Sequence, residues 1–127
     1  MGKWETLRNE CPRLYKNGMI FECGEGWYDL IHDLSIKIEN ILDKNALEHK
    51  VPEGEENEII EMFAVQVKEK YGTLRFYMSC ETDYISGLIE DAEAASSQTC
   101  ESCGDFAKMR GSTWLEVKCD KCYKEWI

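Results

Sequence analysis

Near its C-terminus the chain carries two Cys-x-x-Cys pairs, Cys100/Cys103 and Cys119/Cys122, separated by the fifteen residues 104–118. Each pair can set two thiolates on one side of a small cation, and the segment between them is long enough for a two-stranded excursion that returns the second pair to complete a tetrahedron. Gly104 follows the first pair, where a metal knuckle often needs a positive φ that glycine reaches without a Cβ penalty. Trp114-Leu115-Glu116-Val117-Lys118 reads as a strand delivering Cys119. The spacing predicts a zinc ribbon with Cys100, Cys103, Cys119 and Cys122 as ligands. Four protein ligands leave no position for a substrate or an activated water, so the zinc is expected to be structural rather than catalytic.

A chain of 127 residues buries roughly two-thirds of its unfolded surface, which is enough for one core. The expected organisation is an α+β core over 1–99 with the ribbon, 100–127, appended to it as part of one unit. No run of about eighteen apolar residues is present, and the N-terminus lacks a secretory pattern, so a cytoplasmic location is expected. Met1-Gly2-Lys3-Trp4-Glu5-Thr6 fits only the loose, short pattern for myristoylation. Removing the four ligands from seven cysteines leaves Cys11, Cys23 and Cys80. An odd remainder argues against a disulfide framework and for packed, inert thiols in a reducing compartment.

The net charge is −10, and segment 100–127 holds five basic and five acidic residues, so the whole excess lies in 1–99. Nucleic-acid binding through phosphates needs a basic stripe, and none is visible; direct binding of this kind is not expected.

The periodicity supplies the core. Trp27, Leu30, Ile31, Leu34, Ile38, Ile41 and Leu42 follow the three-and-four spacing of one helical face, with Gly24 and Gly26 at its entrance. His32 falls off that stripe and reads as a surface residue. Residues 43–58, with Pro52-Glu53-Gly54 and His49, read as a long acidic loop. Phe63, Val65 and Val67 alternate with polar neighbours, Tyr71-Gly72 turns the chain, and Leu74, Phe76 and Met78 alternate again: an antiparallel hairpin with Gly72 at positive φ. Leu30, Leu34 and Ile38 are expected to pack on Val65, Val67, Leu74 and Phe76. Thr82 or Asp83 caps a second helix to about Ser96, with Tyr84, Ile85, Leu88, Ile89, Ala92 and Ala95 as its stripe. Residues 1–18 show no clear pattern, and Met19-Ile20-Phe21 is a short apolar run. The fold class is therefore α+β: an antiparallel hairpin or small sheet packed by two amphipathic helices, with the four-cysteine zinc ribbon at the C-terminal end.

Three motifs occur in order: Glu22-Cys23-Gly24-Glu25-Gly26-Trp27, then Lys68-Glu69-Lys70-Tyr71-Gly72-Thr73-Leu74-Arg75-Phe76-Tyr77, then Cys100-Glu101-Ser102-Cys103-Gly104. Together they resemble a family of small proteins encoded by bacteriophages and prophages, over roughly residues 19–122, the hairpin motif being the most specific part. The resemblance implies a setting, the cytoplasm of a phage-infected bacterium, and brings no catalytic residue with it.

Catalysis would require a nucleophile with its base, a carboxylate pair in a cleft or an open metal site. A Cys23/His32 pair is the nearest approach to the first. Gly24-Glu25-Gly26 lacks the third glycine and the strand context of a phosphate loop, and no His-rich nuclease pattern accompanies the cysteines. A non-enzymatic binding protein that engages a host bacterial protein, as a takeover or counter-defence factor, is the expected function. Its working surface is either the acidic exterior, acting as a nucleic-acid mimic, or the hairpin face that gathers Lys68, Lys70, Arg75 and Tyr77. Two other classes stay open: a nucleic-acid accessory module using the ribbon around Lys108, Arg110 and Trp114, and a small enzyme whose site the motifs do not reveal.

Overall fold

The computed structural model describes residues 2–47 and 61–124. The first eighteen residues, featureless in sequence, open with a helix, α1, over Lys3–Glu10. Glu5 in its first turn and Arg8 in its last suit the helix dipole, and Pro12 lies just past its end. Only Leu7 of α1 is fully buried, which is why no periodic stripe announces it. Trp4 stacks on Phe21 with ring centroids 4.5 Å apart, and Arg8 donates from Nη1 to the Met19 carbonyl at 2.7 Å. These contacts tie α1 to a two-residue strand, β1, at Phe21–Glu22.

A single 3₁₀ turn, Glu25–Trp27, leads into the long helix α2, Tyr28–Leu47. Its buried positions Ile31, Leu34, Ile38 and Leu42 follow the expected stripe, with Trp27 at the entrance. Ser35 is buried in the same face and shares a 2.5 Å hydrogen bond with the Tyr15 hydroxyl, so its burial leaves no polar atom unsatisfied. The helix continues through Asp43–Leu47, which the acidic composition assigned to a loop; the rest of that loop, with His49, lies outside the described residues. His32 is half-buried rather than fully solvated, against the Tyr28 ring at 5.8 Å and 3.7 Å from Glu10.

The hairpin is β2, Ala64–Lys70, and β3, Thr73–Met78. Tyr71 and Gly72 both have positive φ, 54° and 88°, the geometry of a two-residue turn whose twist matches the strands. β1 adds to β2 in parallel, Phe21 beside Val67 and Glu22 beside Lys68, a pairing made possible by the crossover through α2. One expectation fails here. Val65 was placed on the core face, yet it is 40% exposed while Ala64 is fully buried. The register moves from Ala64↔Met78 to Gln66↔Tyr77, so two steps on β2 oppose one on β3. This bulge turns Val65 outward and restores the alternation at Val67.

Helix α3, Asp83–Ser96, starts at Thr82, whose hydroxyl accepts from the Ile85 N–H at 3.2 Å. It buries Ile85, Ile89, Ala92 and Ser96, whereas Tyr84 and Ala95 of the expected stripe are exposed. The helix also closes the outer edge of β3. The Leu74 N–H donates to Ser96 Oγ at 2.9 Å and the Phe76 N–H to Glu93 Oε2 at 3.0 Å, so two edge groups that would otherwise template another strand are satisfied. Leu7, Leu34, Ile38, Ile85 and Ile89 join Phe21, Val67, Leu74 and Phe76 in one buried cluster. Helices α1, α2 and α3 therefore pack on the same face of the sheet. The remainder is the α+β arrangement read from sequence, ending in the two-stranded ribbon β4, Lys108–Arg110, and β5, Glu116–Lys118, and the short helix α4, Asp120–Lys124.

Candidate metal centre and its seam with the core

The ribbon brings Cys100, Cys103, Cys119 and Cys122 together: their Sγ atoms all lie within 4.8 Å of one another. Two local devices aim them. After the first pair, Gly104 takes φ 87° and its N–H returns to the Cys100 carbonyl at 2.8 Å, closing a tight knuckle. The second pair straddles the start of α4, where three-residue spacing puts Cys119 and Cys122 on one side and lets the Cys122 N–H point at Cys119 Sγ, 3.4 Å away. β4 and β5 pair antiparallel, Met109 beside Val117, and carry the chain from one knuckle to the other. The expected strand through Trp114 is shorter than read, because Trp114 lies at the hairpin tip and is 72% exposed.

The donor set fits a tetrahedral cation. Four thiolates at about 2.3 Å from zinc would stand about 3.8 Å from each other, and Cys103 Sγ is 3.6 Å from Cys119 Sγ. The thiols hold their protons unequally. Burial acts to raise the Cys100 pKa, but N–H groups of Cys119, Cys103 and Ser102 outweigh it and bring the pKa down to about 6. Hydrogen bonding with the Cys119 thiol pushes Cys122 up to about 12. Such a site offers a first thiolate readily and releases further protons as a divalent cation recruits the rest.

The knuckle is fixed to the core by contacts that no periodicity or spacing in the sequence announces. The Gly26 N–H donates to the Glu101 carbonyl at 2.8 Å, the Gly24 N–H to Glu101 Oε2 at 2.8 Å, and Trp27 Nε1 to the Thr99 carbonyl at 2.7 Å. A Cβ on Gly26 would stand 2.2 Å from the Cys100 carbonyl oxygen, and one on Gly24 2.4 Å from that of Glu101. The two glycines are thus the places where α2's entrance meets the first knuckle backbone to backbone. At the hairpin turn the missing Cβ of Gly72 instead makes room for the Met109 side chain. Two of the three sequence motifs therefore turn out to be the two sides of one seam. Burial raises the Glu101 carboxyl, with Glu69 adding to the effect, while the Gly24 N–H opposes it.

Among the other candidates, Cys23 is half-buried behind this seam, and burial, then Glu101 and Glu69, push its thiol up to about 12. Its surroundings differ from those of His32, which lies where α1 meets α2 beside Glu10. Cys11 is buried, and its thiol is likewise pushed up to about 12. Cys80 approaches the Glu61 carbonyl at 3.7 Å. Arg110, named with Lys108 and Trp114 for a nucleic-acid accessory surface on the ribbon, is committed internally: it bonds Asp120 at 2.5 Å and lies over the Tyr123 ring. Lys68, Arg75 and Tyr77 do share one face. Lys68 is paired across the strands with Arg75, and Gln66 with Tyr77, on the side opposite Val67 and Phe76; Lys70, at the end of that row, lies 5.4 Å from the Tyr71 ring. Among the described residues, neither Lys68 nor Arg75 forms an ion pair.

No family of known proteins, no curated protein and no solved structure matches the chain. Among the described residues no helix is long and apolar enough to cross a membrane.

Proposed function

We propose that this is a non-enzymatic binding protein whose ribbon is fixed by a structural zinc and whose working surface is the open face of the β1–β2–β3 sheet. The zinc assignment follows from an all-cysteine, tetrahedrally spaced donor set, which soft, borderline Zn²⁺ favours. The cluster supplies all four ligands itself, so its contribution is to hold the knuckle against Gly24 and Gly26 rather than to activate a substrate. The observation that carries the binding role is the placement of the helices. Helices α1, α2 and α3 pack on one side of the sheet, and the other side presents Lys68, Lys70, Arg75 and Tyr77 on a chain of net charge −10. A local concentration of cations against an opposing overall field favours an anionic partner.

In the setting that the resemblance implies, a phage-infected bacterium, the partner is a host protein in the cytoplasm. The reading is tested by affinity isolation from host lysate with mass spectrometry, wild type beside Arg75→Glu. A host protein held by the wild type and released by the variant is expected. If nothing specific is held, the binding role falls; if the same protein is held by both, the acidic exterior becomes the working surface. A second reading has its own observation: Phe106 and Trp114 of the ribbon are 79% and 72% exposed and could stack on unpaired bases. With Arg110 engaged by Asp120, the cations left there are few, which favours the sheet face.

A further inference from the structure

The open sheet face is not uniform. At the end where β1 begins, a groove of about 590 Å³ is lined by Met19, Ile20, Glu22, Val65 and Gln66. Ile20 is 73% exposed there, and Val65 is brought out by the bulge. Moving along β2, Lys68 follows Gln66 by two residues and Lys70 by four, on the same side, with Arg75 directly across from Lys68. At about 3.3 Å per residue, the cations of β2 lie roughly 7–14 Å along the strand from Gln66 in the groove. Between the two regions stands Tyr77, opposite Gln66. Glu22 stands beside Lys68 across β1 and β2 and turns its carboxylate toward the groove, where it accepts from Gln66 Nε2 at 3.3 Å.

We infer that this face receives a short acidic segment of a partner protein, an apolar side chain of that segment seated in the groove at Ile20 and Val65 and its carboxylates on Lys68, Arg75 and Lys70. The inference rests on the reading of this face as the working surface and adds the chemistry and polarity of what binds. The Glu22 carboxylate, turned from Lys68 toward Gln66, disfavours acidic side chains at the groove and leaves the anchor position to an apolar one. An extended chain covers the distance from groove to cations in two to four residues, which sets the spacing between its anchor and its acidic groups. Arg75 can take a carboxylate in two-pronged fashion, and the lysines act as point charges beside it. A long polyanion suits the face less well. Three cations in a small patch neutralise only a few phosphates, and the rest of a nucleic-acid strand would run over a surface of net charge −10.

The test is selection of a displayed library of random short peptides on the zinc-loaded full chain, followed by fluorescence anisotropy of selected peptides at low and physiological salt. Selected peptides are expected to carry acidic residues two to four positions from an aliphatic or aromatic one. Their affinity should fall about tenfold or more in Lys68→Glu/Arg75→Glu, fall less in the milder Lys68→Gln/Arg75→Gln, and weaken as salt rises. Ile20→Ser/Val65→Ser should weaken binding several-fold with the salt dependence intact. If no peptide is selected, or if binding ignores the charge reversal, both the inference and the use of this face are overturned. If peptides are acidic and face-dependent but indifferent to Ile20→Ser/Val65→Ser, the anchored segment is overturned while the working surface stands. A labelled single-stranded DNA oligonucleotide run in parallel decides the remaining case: tighter binding than any peptide, lost on charge reversal, overturns the protein segment in favour of nucleic acid.

Discussion

Replacing Gly26 by alanine adds one methyl group and should detach the ribbon from the core. The new Cβ would lie 2.2 Å from the Cys100 carbonyl oxygen and 2.6 Å from the Glu101 carbonyl carbon and oxygen. Carbon and carbonyl oxygen approach to about 3.3 Å at closest, so the two backbones must part by about 1 Å. All the atoms in the way are main chain and cannot rotate aside. That displacement breaks the 2.8 Å bond from the Gly26 N–H to the Glu101 carbonyl and strains the neighbouring bonds from Gly24 and Trp27. The one broken hydrogen bond at about 1 kcal/mol, plus a penalty of about 1–3 kcal/mol for an N–H left without a partner, gives a cost of about 2–4 kcal/mol. Against a typical total of about 5–15 kcal/mol this is a large share. Gly87 is the control: it lies inside α3 with no atom within 4 Å of its Cβ position, so Gly87→Ala should stabilise by about 0.5–1 kcal/mol. Urea denaturation of the zinc-loaded proteins, extrapolated linearly, measures both. A Gly26→Ala protein within about 0.5 kcal/mol of wild type would refute the seam as described.

Three further outcomes follow from the core. Ser96→Ala leaves the buried Leu74 N–H without its acceptor and should cost about 1–3 kcal/mol in the same assay; a smaller loss would mean that water or Glu93 replaces the hydroxyl. Leu34→Ala, at a position 4% exposed between α2 and the sheet, should cost about 2–5 kcal/mol, and a loss below about half a kcal/mol would show the α2 stripe to be uncovered. Burial, then Glu39 and Glu10, raise the Cys11 thiol to about 12. A group raised by folding contributes its full stability below its unfolded pKa and loses it as pH climbs toward the folded value, because only the unfolded chain ionises. Stability should therefore fall between about pH 9 and 12, by up to about 1.4 kcal/mol per unit from this thiol. Cys11→Ala should flatten that decline, and an unchanged slope would contradict the assignment.

The parts of the fold legible in the sequence were those with a long, repeated pattern. Seven apolar positions from Trp27 to Leu42 outvote any single exception, and Tyr71-Gly72 between two alternating runs has few other readings. The cysteine cluster was legible because two Cys-x-x-Cys pairs about fifteen residues apart suit a single tetrahedral site. What escaped was held by few residues or by none. Helix α1 buries one side chain completely, Leu7, and β1 is two residues long, so neither builds a period. The bulge that exposes Val65 is a backbone event, invisible to alternation until the partner strand is known. Gly24 and Gly26 were read as a helix entrance, which they are, but their reason lies seventy-odd residues away at Cys100 and Glu101. A glycine pair without a turn to make is a signal for close backbone approach, and it was available in the sequence. The polar sheet face was legible as a set of residues, since period-two geometry groups them, whereas the groove beside it depends on the bulge and on β1.

The central structural claim is that four thiolates close on one zinc and thereby fix the ribbon to the entrance of α2. X-ray absorption at the zinc edge, on protein whose metal content has been measured, tests it most directly. The expected result is one zinc per chain surrounded by four sulfur neighbours at about 2.3 Å, with no oxygen or nitrogen among them. Less than half an equivalent of zinc, or a light atom in place of one sulfur, would contradict the closed site and reopen the ribbon to a catalytic role.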